Sequence, residues 1–133
     1  MKIMKGENAW VWMEIKGHYF YTQFKPNTTL DLAAAQKIIE DAVILAGDKT
    51  YPVLTDIRDM PPHSKEVRDY FANEGSDSAC ANAILVSSSI SRILANFFLN
   101  INKPLIPTRI FNDPVKAAKW LEMFPIKQRQ VLV

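Results

Sequence analysis

The sequence is short of the residues from which metal clusters, disulfide frameworks and phosphate-cradling loops are built: one cysteine, Cys80, four glycines and two histidines in 133 residues. A single thiol excludes an intrachain disulfide and a cysteine-based zinc cluster, and suits a reducing compartment. The glycines, at positions 6, 17, 47 and 75, are too scattered for a GxGxxG or a P-loop, so no nucleotide cofactor is indicated. No stretch approaches the roughly 20 apolar residues of a membrane-spanning helix. The first residues run into Glu7 and Asn8 without the apolar core of a secretory leader. The expectation is a cytoplasmic protein. An excess of one charge is missing too: sixteen Lys and Arg against fourteen Asp and Glu leave a net +2, intermixed, with no basic stripe to hold nucleic acid.

What is present is an ordinary apolar fraction, 48% with 23% charged residues, and a length that suits one domain over residues 1–133 around one core. Residues 9–15 alternate with the two-residue period of a strand, and Trp10 and Trp12 fall on one face, assigned to the core with a homodimer contact as the alternative. A Lys16-Gly17-His18 turn leads into a second strand over 19–24, forming an antiparallel hairpin. A helix follows, capped by Asp31 or Thr29, with Leu32, Ala35, Ile38, Ile39, Ala42, Val43 and Ala46 at helical spacing and Gly47 ending it in the left-handed α conformation. A strand over 51–57 breaks at Pro61-Pro62, and a helix restarts at Ser64 with Val67, Tyr70 and Phe71 on its apolar side. After a polar connection over 76–81, residues 83–86 read as a buried parallel strand. Ser87 opens a third helix, and a strand over 106–111 carries Pro107, the mark of an edge or a strand's first residues. Asp113-Pro114 then provides an N-cap and proline N1 for a last helix presenting Val115, Ala118 and Leu121. The tail, 126–133, reads equally as frayed chain or a short added strand. The order is ββαβαβαβα, an α/β fold with one mixed five-stranded sheet packed by helices.

That order, with its strand, loop, serine and helix start in the middle, resembles the STAS fold of sporulation anti-sigma-factor antagonists and of the cytoplasmic tails of sulfate transporters. More narrowly, PVLTDIRDM, SKEVRDYFANEG, SRILANFF and NKPLIPTRIFNDPVKAAKWL resemble a small bacterial STAS/SEC14-like group whose members have no assigned activity. In the antagonists the serine that starts the helix after the third strand is phosphorylated by a partner kinase. The resemblance places Ser64 there, although Pro62-His63-Ser64-Lys65 stands where the antagonists have Asp-Ser-Ser-Gly.

In open α/β sheets, ligands and partners dock beyond the carboxyl ends of the strands, which places the working surface on Asp56, Arg58, Asp59, His63, Ser64 and Lys65. Ser64 has two compatible roles, N-cap and phosphorylation switch. His63 beside it makes no nucleophile pair, because adjacent side chains rarely face each other and no oxyanion-type turn is present. Asp56 and Asp59, with Asp69 or Glu66, are better read as partners of Arg58, Arg68 and Lys65 than as ligands of a hard cation, which needs several converging oxygens. Ser88, Ser89 and Arg92 at the third helix start could cradle an anion or lipid head group. Phe97 and Phe98, about 100° apart on a helix, can both be buried only under a wide contact, so one could line a partner patch or small apolar pocket. The resulting expectation is a non-catalytic regulatory module that binds a protein. The alternatives are a carrier of a small apolar or anionic ligand and, last, an enzyme.

Overall fold

Alternation of apolar and polar side chains decides the first third of the chain. In the computed structural model, which describes residues 5–58, 64–74, 78–87, 92–93, 96, 100 and 103–129, a short strand Lys5–Glu7 (β1) leads into Val11–Lys16 (β2). β2 buries Val11, Met13 and Ile15 and turns Trp12, Glu14 and Lys16 the other way. Gly17, at φ 65°, makes the turn a side chain would strain, and Tyr19–Phe24 (β3) returns antiparallel, pairing Ile15 with Phe20 and Val11 with Phe24.

Helix α1, Leu32–Ala46, starts at Asp31, whose carboxylate accepts the Ala34 amide at 2.8 Å. It ends at Gly47, whose amide reaches the Val43 carbonyl at 3.1 Å. Gly47 lies at φ 68°, ψ −127°, a positive-φ conformation open to glycine but outside the left-handed α region expected from the sequence.

The chain then enters the central strand, Lys49–Asp56 (β4), which pairs in parallel with β3 and with Ala79–Leu85 (β5). Pro52 is buried in this central strand although it has no N–H for the ladder. The register accommodates it by skipping: Tyr51 pairs with Ala79 and Pro52 with Ala81, leaving Cys80 as the extra residue of a bulge. Between these strands lies α2, Lys65–Glu74, which buries Val67 and Ala72 and sets Phe71 edge-on to Phe24. Thr108–Phe111 (β6) closes the sheet in parallel with β5, with Pro107 just ahead of this edge strand. Helix α3, Pro114–Leu121, is capped by Asp113, and Lys127–Gln128 (β7) pairs antiparallel with the start of β4.

Among the described residues the sheet therefore has seven strands, in the order β1-β2-β3-β4-β5-β6 with β7 on β4. The expected five are extended at the front by β1 and at the tail by β7, both too short to show a period. Alternation along β4 and β5 assigns the two faces. Tyr51 and Val53 pack with Phe20, Ile38 and Val67 under α1 and α2, whereas Leu54, Ala81, Ala83 and Leu85 pack with Ala117 and Leu121 of α3. Two core assignments are corrected. Val115 is 74% exposed; α3 turns Ala117 and Leu121 inward instead, with Trp120 edge-on to Phe124 and tilted against Phe111. Trp12 is 40% exposed, on the sheet face shared with Glu14 and Lys16. The residues Ser88, Ser89, Ile90, Leu94, Phe97, Phe98 and Ile101 of the expected third helix lie outside the described residues.

Candidate functional site

Asp56 is the last residue of β4, two positions after buried Leu54 and so on the same face of the sheet. It is 2% exposed, and its carboxylate is enclosed by its own chain. The Tyr21 hydroxyl donates to Oδ2 at 2.7 Å, and Arg58 Nη2 donates to the same oxygen at 2.7 Å. Arg58 Nε and the Arg58 amide donate to Oδ1 at 3.0 and 3.1 Å. Two of these bonds form a guanidinium–carboxylate fork, the strongest of the common side-chain pairings. Register explains why Tyr21 reaches: Leu54 pairs with Tyr21 and Asp56 with Gln23, so the phenol leans one pleat along the strand to meet the carboxylate. The loop is fastened behind it, with the Ile57 amide on the Leu85 carbonyl and the Ser87 hydroxyl donating to the Arg58 carbonyl at 3.0 Å.

Burial alone would push the Asp56 carboxyl up, but the hydrogen bonds from Arg58 and Tyr21 outweigh it and hold the group below the ordinary 3.8. Burial, together with the neighbouring carboxylate, pushes the Tyr21 phenol up to about 12. The Asp56 bond raises Arg58 above its already high value. At neutral pH the three are an anion, a neutral phenol and a cation. Arg58 keeps 41% of its side chain exposed, so a guanidinium fixed along one edge faces outward.

The same register draws a row across the carboxyl end of the parallel strands: Glu7, Trp12, Gln23, Asp56, Leu85 and Phe111 are successive partners from β1 to β6. On the α3 side Leu85 is buried and Phe111 packs against Trp120. Beyond Asp56 the row is wet, because α3 lies over β4, β5 and β6. The uncovered part carries aromatic rings under cations, Lys25 over Trp12 at 5.2 Å and Lys16 over Tyr21 at 4.4 Å. From sequence the core is the preferred place for Trp12, with a homodimer contact as the alternative; the signal for exposure is that Trp12 shares its strand stripe with Glu14 and Lys16.

Of the residues singled out from the sequence, Asp56 and Arg58 are brought together, and the carboxylate is enclosed rather than presented. Ser64 is exposed at the start of α2, its hydroxyl accepting the Val67 amide at 3.3 Å. Lys65 is exposed and pairs with Asp69 at 2.7 Å, and Arg92 is exposed. Asp59, His63, Ser88, Ser89, Phe97 and Phe98 lie outside the described residues. Among the described residues no three His, Cys, Asp or Glu side chains gather as a metal site would require, and no helix is long and apolar enough to cross a membrane.

No curated protein matches the chain. Among solved structures it is similar to an uncharacterized protein of the DUF3478 family from Shewanella loihica PV-4, described as having a SpoIIAA-like fold: 16% identity, TM-score 0.53, 87% of this chain and 98% of that one. A protein of unknown function from Arthrobacter sp. FB24 shares 26% identity over 84% of this chain and 92% of that one, with a TM-score of 0.32. The mixed sheet with helices on both faces is thus a SpoIIAA-like α/β fold, the STAS-like architecture expected from the order of elements. Residues 11–125 match a family described as Domain of unknown function (DUF7793), and the chain belongs to that family.

Proposed function

We propose that this protein is a non-catalytic regulatory module that binds a protein partner at the carboxyl end of its sheet, with Arg58 and the Trp12 face as contacts and Ser64 as the switch. The observation that carries this reading is the closed state of Asp56. A general base needs reach to a substrate and a pKa raised toward neutrality, whereas Asp56 is enclosed, and its pKa is held down by two neighbours that both donate to it. What the arrangement delivers is a guanidinium whose rotamer is already fixed, so a partner meeting it loses little further side-chain entropy. Arginine and tryptophan are the residues that most often anchor protein interfaces. Here Trp12 stands two strands from Asp56 on the row, about 10 Å away, and Asp56 holds Arg58. Ser64 is exposed at a helix start, where a phosphate would meet free amides and the positive end of the α2 dipole.

The test uses tagged full-length protein, wild type and Trp12→Ser, recovered from host lysate, with native mass spectrometry on the same eluates. The expected result is a protein recovered by wild type and lost by Trp12→Ser, with both melting at the same temperature because Trp12 is not in the core. Equal recovery by both would remove the Trp12 face from the reading. A co-purifying apolar small molecule with no protein would replace it with the carrier reading.

A further inference from the structure

The stretch that follows α3 is held by a different kind of contact from the rest of the chain. No side chain from Glu122 to Arg129 is buried. Phe124 still packs against Trp120, but beyond it the attachments are polar: β7 pairs Lys127 with Thr50 and Gln128 with Lys49, the Arg129 amide donates to the Asp48 carbonyl at 2.7 Å, and Gln128 Nε2 donates to Asp48 Oδ2 at 2.9 Å. The Arg129 guanidinium reaches the Val43 and Lys49 carbonyls only at 3.5 and 3.4 Å. Its Nε is shut away from solvent with no acceptor, a desolvation penalty that closure must carry.

What lies beneath is specific. The half-buried Cys80 thiol sits 3.7 Å from the Pro125 carbonyl, and burial raises its pKa while the charge of Lys127 opposes that rise, so the start of the strap lies beside it. Cys80 is also the bulge residue, so the ladder between β4 and β5 is already interrupted there. Lys49 and Thr50 have β7 as their strand partner; β5 first pairs with β4 at Tyr51 and β3 at Val53.

We propose that residues 125–129 form a releasable strap, which opens as a local unit while the remainder of the domain stays folded, uncovering Cys80 and the opening edge of β4. Segments with few buried apolar contacts and solvent-facing hydrogen bonds occupy the low end of the range of local opening free energies. An uncovered strand edge is also a site where an extended segment of another chain can pair. The strap therefore acts as the guard on that edge.

Cys80 is the only thiol in the chain and is half-buried beside Pro125, so its labelling rate rises as the strap opens. Native full-length protein is exposed to a thiol-reactive disulfide reagent across a urea series below the unfolding transition. The expected rate scales with reagent and is flat in urea until global unfolding begins. Arg129→Pro, which removes the 2.7 Å amide bond to the Asp48 carbonyl, should raise the flat rate about tenfold, the weight of one hydrogen bond, at an unchanged global urea midpoint. Asp48→Ala, which removes the acceptor of the Gln128 side chain, should move it the same way. A wild-type rate that climbs from zero urea with the slope of global unfolding would overturn the proposal. So would an Arg129→Pro rate equal to wild type, or one whose gain is matched by a fall in the global midpoint.

Discussion

Replacing Asp56 by asparagine separates the charge of the buried carboxylate from its shape. Wild-type Asp56 accepts four bonds, two at each oxygen, from Tyr21, from the Arg58 amide and from the guanidinium fork. Asparagine retains one carbonyl oxygen, which can serve the Arg58 amide and Nε. Its NH2 then occupies the place of Oδ2, facing the Tyr21 hydroxyl and Arg58 Nη2. The hydroxyl can rotate and accept, but Nη2 has only hydrogens to offer. One charge-assisted bond, about 1.5–3 kcal/mol, is therefore lost and two donors are opposed. The 41% exposure of Arg58 lets the guanidinium swing toward water and recover part of this, so the expected cost is about 2–3 kcal/mol at neutral pH. The pH dependence has a fixed sign. A carboxyl whose folded pKa lies below its unfolded value stabilises the fold above the unfolded value, near 3.8, and that contribution is lost as pH falls through the lower folded value. The gap between wild type and Asp56→Asn should thus be full at neutral pH and close progressively below about pH 4. Urea unfolding followed by tryptophan fluorescence over that range measures it. A cost below about 0.5 kcal/mol at neutral pH, or a gap that does not change with acid, would show that Asp56 is not held as an ion pair.

Leu85 is fully buried between β4, β6 and α3, so Leu85→Ala should leave a cavity and cost about 2–5 kcal/mol. A urea midpoint that does not fall would contradict its central place. Ser64→Ala should lower stability by about 0.5–2 kcal/mol through loss of the bond to the Val67 amide. Ser64→Asp should melt near wild type, because aspartate caps equally well, while changing partner recovery; unchanged recovery would leave Ser64 as a cap alone.

The features legible in the sequence were those encoded by neighbours. Residues 19–24 are rich in aromatic side chains with a β-branched threonine, a strand composition, and the strand found is Tyr19–Phe24. Asp31 and the Asp113-Pro114 pair mark helix starts by local capping chemistry, and both caps form. The misread features depend on distant chain. The first residues of β5, Ala79–Ala81, are small and look like a connection. They are strand because β4 lies alongside, with Cys80 absorbed as a bulge opposite Pro52. Lys5–Glu7 carries no period, being an edge strand specified by its pairing with Trp12–Glu14. The same division holds at the site. Asp56 and Arg58 are two residues apart and their opposite charges suggested the pair, but Tyr21 is 35 residues away and reaches Asp56 only through the parallel register of β3 on β4.

That register also accounts for a carboxylate being tolerated where the sheet is otherwise dry. Along the row from Glu7 to Phe111 the side chains pass from charged and wet to fully apolar, and Asp56 stands at the change, under the margin of α3. A buried ion pair contributes little net stability compared with well-packed apolar groups of the same size, since desolvation consumes most of the Coulombic gain. The pair at Asp56 is therefore better explained by position than by stability. It holds Arg58 at the lip of the sheet, turns the loop after β4 back over Ser87, and ties Tyr21 to the same point. The strand end that would otherwise be only the boundary of the core thereby carries a fixed cation on the same sheet edge as an open aromatic face, and the proposed binding role rests on that arrangement.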